Sequence, residues 1–445
     1  MTVHGSATGG TPSPPTPEGL PLLGNALAFS RDPVGAMDDW ASLGDVVRIE
    51  TPGLTTYMVT SPELIERILV EDHGRFTISE AQRETFRGVE DHAVTTTTGA
   101  RWKRLRRALR PAFARDALDR YGDRIASTTA AYVEEWDDGE RIDLYRELRL
   151  LTVNVLGDTL LDVDVRGNED VVMDAADALV DRANFRRPGQ LLPDWIPTPT
   201  ERRFERTVGA LDEFVDDVID ERRRSEPGED ACSVLLDAHA AGELTLAEVR
   251  HNVVALLLAG HDSPSSALTY AWYLLGDHPD VYESLREEYH EVVDGERPGT
   301  ESYADLDRTR NVVAEALRLY PPTLGVSRQA TEPVTLAGYE LPEGAQFLLP
   351  QWVLHRDERF WDDPTAFDPS RWQDPPERPE YAYFPFGGGP RNCVGAPFAR
   401  RELTLVLATM VGRVELDVST DGPLRFTPSL QLRPETEIEA TVTRR

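Results

Sequence analysis

A chain of 445 residues with 40% hydrophobic and 28% charged side chains can bury a large core and is neither fibrous nor disordered. Its formal net charge of -31 excludes general nucleic-acid binding, which needs a basic surface, and disfavours acidic lipid surfaces. Two cysteines, Cys232 and Cys393, exclude a disulfide framework, no CxxC pair suggests zinc, and a reducing cytoplasm fits. Lys103 is the sole lysine, so nearly all positive charge is arginine. Such an excess of carboxylates, whose self-repulsion salt would screen, leads us to expect salt adaptation; a merely acidic protein is the plainer reading.

Residues 11–24 run through prolines and polar side chains with no basic start followed by an apolar stretch, and 1–16 are expected to form a flexible segment. No run of about twenty apolar residues occurs, so neither export nor a membrane span is expected. Length alone suggests about three domains. With no repeat and no long linker, one domain over 17–445 is the better expectation.

Alternation over 45–50 and 56–60 predicts a hairpin. Trp102 and Arg106 stand four apart and share a face of a helix ended by Pro111. The stretch around them is basic, with Arg101, Lys103, Arg104, Arg107 and Arg110. Thr245-Leu246-Ala247-Glu248 is a capping box, and Gly276 with Pro279 supplies a stop. The helix between them would span roughly 45–50 Å at 1.5 Å per residue. Its centre, 253–260, is apolar all round and should be buried on every side. There sits Ala259-Gly260-His261-Asp262-Ser263-Pro264, polar and helix-breaking residues that a purely structural helix avoids. Pro264 removes the amide that the Gly260 carbonyl would use and should open or kink the helix.

Farther on, Glu315 and Arg318 can pair at i, i+3 just before Leu319-Tyr320-Pro321-Pro322. Short strands around turns at Gly338 and Gly344 are predicted over 334–349. Phe384-Pro385-Phe386-Gly387-Gly388-Gly389-Pro390-Arg391-Asn392-Cys393-Val394-Gly395 then precedes a helix that starts near Pro397. A cysteine there meets free amides and the positive end of the helix dipole, which should lower its pKa toward thiolate, the form that binds iron. The glycines permit a tight loop whose backbone can approach a flat ligand. Without such a loop, a lone cysteine is more often a small buried hydrophobe.

The last segment resembles the haem-binding loop of the cytochrome P450 family, Phe-x-x-Gly-x-Arg-x-Cys-x-Gly, at Phe386, Gly389, Arg391, Cys393 and Gly395. Glu315 and Arg318 resemble its Glu-x-x-Arg, and Phe367-Asp368-Pro369-Ser370-Arg371-Trp372 the segment whose arginine completes a structural triad. Residues 259–264 resemble its oxygen-activation segment, with Ser263 and Pro264 in place of two usual threonines.

The resemblance implies a mainly α fold with small β-sheets, in which haem b lies between the long central helix and the helix after the cysteine. It implies Cys393 as axial iron ligand, which favours cleavage of the O–O bond. Trp102, Arg106, Arg328 and Arg391 would contact the haem propionates, and Phe386, Gly395 and Ala259 would border the ring. Asp262 and Ser263 would relay protons for oxygen activation. The implied reaction is insertion of one atom of O2 into an apolar substrate, a lipid, fatty acid, terpenoid or carotenoid. Leu256, Ala259, Leu324, Gly325, Val326 and Leu430 would line the pocket. Electrons would come from a separate donor, an acidic ferredoxin, docked on the basic stretch together with Arg400 and Arg401. Two other readings stand beside it: a peroxide-dependent peroxygenase or isomerase, which commonly lacks an acid–alcohol pair, and a haem-thiolate gas sensor, which should carry an output domain.

Overall fold

The computed structural model describes residues 12–184, 186, 198–225, 228–293, 297–374, 377–429 and 431–445. Eight helices position the site: α1 (Gly99–Leu109), α2 (Arg115–Val133), α3 (Leu144–Leu156), α4 (Glu169–Ala183), α5 (Pro199–Arg224), α6 (Leu246–Gly276), α7 (Asp307–Leu319) and α8 (Ala396–Val411). The signal at the start of α6 acts as expected, and the helix ends at Gly276. The Thr245 hydroxyl accepts the Glu248 amide at 3.2 Å, and the Glu248 carboxylate accepts the Thr245 amide at 2.9 Å. Its 31 residues make a rod about 46 Å long.

That rod joins three apolar clusters. Val249, Val253 and Leu257 pack with Phe204 and Leu211 of α5 and with Ala175 and Leu179 of α4. Ala267, Leu268 and Ala271 pack with Leu151 and Val155 of α3 and with Leu403, Val406 and Leu407 of α8. Tyr270 reaches the core beneath the larger sheet. Burial on every side holds except along one face, where Ala259 is exposed and Leu256 and Gly260 are half-buried. A void lies there. Pro264 does not break the helix, which runs unbroken past it. Two carbonyls beside it also take side-chain donors: the Thr152 hydroxyl reaches the His261 carbonyl at 3.1 Å, and the Ser265 hydroxyl the Asp262 carbonyl at 2.9 Å.

The first hairpin pairs β1 (Val46–Thr51) with β2 (Leu54–Val59) around Gly53, whose φ of +77 favours glycine. With β3 (Phe76–Thr77) and, later in the chain, the strands Val326–Ala330 and Gln346–Leu349, they form a five-stranded sheet. Gln346–Leu349 pairs parallel to β2. The strands Val334–Leu336 and Tyr339–Leu341 turn at Gly338, and a three-stranded sheet of Arg141–Asp143, Ile438–Arg444 and Val414–Thr420 lies elsewhere. The opening segment is outside the described residues as far as residue 11. Of the rest, Pro12 and Ser13 are exposed, Pro14 is buried, and the Pro15 carbonyl accepts the Arg48 amide at 2.8 Å.

The predicted triad forms in full. Glu315 and Arg318 are both 0% exposed and meet at 2.8 Å, and Arg371 joins at 3.0 Å. Arg318 also donates to the carbonyls of His355, Pro364 and Ala366, tying the segment before the cysteine loop to α7.

Candidate functional site

The cysteine loop is shaped by close backbone approaches. At Gly389 the φ is +65, and a Cβ there would fall 1.9 Å from the Leu69 carbonyl, so only glycine fits. The Cys393 amide donates to the Phe386 carbonyl at 2.9 Å, closing the loop on itself. Gly395 is different. A Cβ there would meet only Phe113 at an ordinary 3.6 Å, so the protein does not demand glycine, and the space beside it is cavity.

Cys393, Phe386 and Gly395 line a cavity of about 1170 Å³, and so do Ala259, Gly260 and Ser263 of α6. Cys393 is exposed to that void. Its thiol is pushed up from the ordinary value by removal from water, against the lowering pull of the Gly395 and Ala396 amides and of Arg106 and Arg400. The expectation of a lowered thiol is therefore corrected for the chain alone. In the chain alone the helix-end amides do not outweigh desolvation.

Three arginines on the rim have no carboxylate partner among the described residues. Arg328 is 8% exposed and its guanidinium donates to the Ser327 carbonyl, and burial and then Arg391 push it down to about 10. Arg391 donates to the Thr97 carbonyl at 3.0 Å and stacks 4.5 Å from the centre of the Trp102 ring. Burial, Arg83 and Arg106 push it down to about 10 as well. Arg106 holds the Asn392 carbonyl at 2.9 Å and is lowered by burial. Like charges gathered out of water are costly, and a ligand carrying two carboxylates would relieve them. Trp102, Arg106, Arg328 and Arg391 all line the cavity, so the residues present fit the propionate edge of a haem.

Asp262 and Ser263 are neighbours that face different surroundings. Ser263 lines the cavity, whereas Asp262 is buried and ion-paired with Arg433 at 2.5 Å. The Tyr145 hydroxyl lies 3.4 Å from the same carboxylate. Arg433 continues to Asp177 at 2.7 Å, and Asp177 to Arg149 at 2.7 Å. No hydrogen bond joins Asp262 to Ser263 among the described residues. Sequence reading missed Arg433, Tyr145, Asp177 and Arg149, which come from three separate segments, Tyr145 and Arg149 both on α3, Asp177 on α4 and Arg433 near the end of the chain.

Of the expected pocket residues, Leu256, Ala259, Gly325 and Val326 line the cavity. Leu324 does not: it is 0% exposed and packs into the core beneath the larger sheet. Leu430 lies outside the described residues. Phe86, Val94, Thr95, Asn252, Ser429 and Gln431 are further liners. The basic stretch is also partly spent. Arg101 and Arg104 both grip the buried Glu248, whose carboxyl they and the Thr245 amide hold at about 2 despite its burial. Arg401 pairs with Asp119 at 2.8 Å, while Lys103, Arg107, Arg110 and Arg400 stay exposed.

Comparison with known proteins agrees with this geometry. A family model described as Cytochrome P450 matches residues 14–442. The chain is 32% identical to cyclooctatin synthase of Streptomyces melanosporofaciens, over 96% of this chain and 93% of that protein. It is 30% identical to pentalenene oxygenase of Streptomyces avermitilis, over 92% of each. It is also 30% identical to cyclooctat-9-en-7-ol 5-monooxygenase of Streptomyces melanosporofaciens, over 90% of this chain and 88% of that protein.

Proposed function

The chain belongs to the cytochrome P450 family, oxygen-inserting oxidoreductases whose cofactor is haem b, and from that premise we propose that it oxidises a polycyclic terpenoid hydrocarbon or alcohol. Cys393 holds the iron, and Trp102, Arg106, Arg328 and Arg391 hold the propionates. When bound, haem supplies the iron at which O2 is activated.

The chain's own contribution is binding, dryness and proton handling. Apolar liners such as Leu256, Ala259 and Val326 orient a substrate by shape and exclude water. Two similar proteins are named for an alkene, pentalenene, and an alkenol, cyclooctat-9-en-7-ol, which suits such a wall. Ser263 passes a proton through its hydroxyl into the cavity, and Asp262 is the reserve acid, held back by Arg433. Electrons come from a separate acidic donor, a ferredoxin, on the face that carries Lys103, Arg107, Arg110 and Arg400. Residues 17–445 act as one domain. No helix among the described residues is long and apolar enough to cross a membrane, and we place the enzyme in a salt-rich cytoplasm on its charge of -31.

One observation carries this reading: a cysteine sulfur and the exposed face of a buried helix line the same void, together with arginines that have no carboxylate partner among the described residues. The test is turnover with a ferredoxin, its reductase and isotopically labelled O2 against cyclic terpenes in high salt. One labelled oxygen atom in the product supports the reading. Product from unlabelled water, or turnover with peroxide alone, would favour the peroxygenase or isomerase reading.

A further inference from the structure

The cavity has a wall that is neither helix nor sheet. Residues 86–98 are a run of turns between the short helix Glu80–Thr85 and α1, and this loop contributes Phe86, Val94 and Thr95 to the lining. Two consecutive residues near the start of α6 fasten it. The His92 amide donates to Nδ1 of His251 at 2.9 Å, and the Val94 amide donates to the Asn252 side-chain carbonyl at 3.0 Å. The Asn252 amide group returns a bond to the Glu248 carbonyl at 2.7 Å and a long one to the His92 carbonyl at 3.4 Å.

The first of these pegs has a chemical condition. A ring nitrogen accepts a hydrogen bond only while it carries no proton, so the His92 amide can be held only by a neutral His251 with its hydrogen on Nε2. Protonation at Nδ1 would set two donors against each other. The His92 ring lies stacked on His251, with centroids 4.9 Å apart, so added charge would also fall on a second imidazole. The charged neighbours are Asp91 from the loop, Arg101 from α1 and Arg250 from α6 itself. Asp91 alone favours the cation. Arg250 is engaged by Asp216 of α5, and Arg101 by Glu248. Burial, His92 and the two arginines outweigh Asp91 and push His251 down from its ordinary value.

We propose that His251 and Asn252 are positioning residues that peg the 86–98 loop across the cavity, and that the His251 peg releases on protonation, so that acid opens the substrate wall. This rests on reading the cavity as the substrate site. The sign follows from the neutral form being the one that bonds. The peg is fully present above the ordinary histidine value near 6.5 and is lost as pH falls through the lowered one.

The test uses the haem-loaded protein in high salt. Hydrogen exchange in the peptide holding the His92 and Val94 amides is followed from pH 8 to pH 5 and corrected for the intrinsic pH dependence of exchange. Loss of one hydrogen bond should lower protection about five- to tenfold at the acid end. His251→Gln keeps an oxygen acceptor that does not titrate, so its protection should not fall with acid. The buried Glu90 of the loop, pushed up to about 7, is common to both proteins and acts in the opposite direction, so the difference between them isolates His251. His251→Phe should show the lowered protection at every pH, with the Val94 amide still held by Asn252. The binding rate of tert-butyl isocyanide, a neutral iron ligand, reports access to the cavity and should rise several-fold with acid only in the wild type. A wild-type exchange profile that matches His251→Gln, or unchanged protection in His251→Phe, overturns the proposal even when isocyanide binds normally. Failure of isocyanide to bind at any pH would instead overturn the reading of the cavity.

Discussion

Glu315→Gln is the substitution whose cost the structure defines most closely. The carboxylate accepts five hydrogen bonds, two from Arg318, and one each from the Arg371 guanidinium, the Trp372 indole and the Asp368 amide. All lie between 2.8 and 3.0 Å. Glutamine retains one acceptor oxygen but turns an NH2 group toward donors, leaving two guanidinium groups without a counter-charge. Breaking a buried pair in this way costs about 3–5 kcal/mol. Against a total stability of roughly 5–15 kcal/mol, that is a large share. Because Arg318 also bridges to the His355, Pro364 and Ala366 carbonyls, the loss should loosen the segment that leads into the cysteine loop. Urea unfolding of the haem-loaded protein in high salt, followed by tryptophan fluorescence, should show a lower midpoint and faster loss of haem. A loss below about 1 kcal/mol, the range of an exposed pair, would refute the assignment of this triad as a buried structural clamp.

Glu90 gives a pH test. Its buried carboxyl is pushed from 4.5 to about 7 by desolvation, opposed by the Thr95 hydroxyl. The neutral form is native, so stability is fully present below pH 4.5 and falls between there and about 7, by roughly 3 kcal/mol. The stability gained on Glu90→Gln should therefore grow by that amount from pH 4 to pH 8; a constant difference would contradict the assignment. Ser263→Ala should lower product formed per electron consumed while leaving haem binding intact, and an unchanged yield would remove Ser263 from proton delivery. Lys103→Glu with Arg107→Glu should slow reduction by the donor and flatten its salt dependence. Arg104→Glu should instead destabilise the protein, because Arg104 holds the buried Glu248 at the start of α6.

What could be read beforehand was written in local chemistry. The ends of α6 are set by a capping box and a glycine, and the triad by helix spacing and a planar guanidinium. The cysteine loop follows from its glycines, above all Gly389, which no other residue could replace. What escaped reading depends on long-range partners. Asp262 looked like half of an acid–alcohol pair, yet its carboxylate is committed to Arg433, far away in the chain. Arg101 and Arg104 looked like free surface charge, yet Glu248 takes both. Cys393 sits at a helix start as expected, but burial prevails over the dipole in setting its thiol. Leu324 is apolar and adjacent to the cavity wall, but its side chain points into the core of the sheet. In each case a spacing rule gives the residue's neighbours along the chain and not the direction its side chain takes.

The central claim is the bond from the Cys393 sulfur to haem iron. Reduction of the purified protein under carbon monoxide, beside its Cys393→His variant, tests it directly. The wild type should show the long-wavelength Soret band of a thiolate-bound ferrous carbonyl complex, and the variant a shorter-wavelength band of an imidazole-bound one. A folded wild type that binds haem yet gives the imidazole-type band, or a variant that keeps the thiolate-type band, would contradict the account.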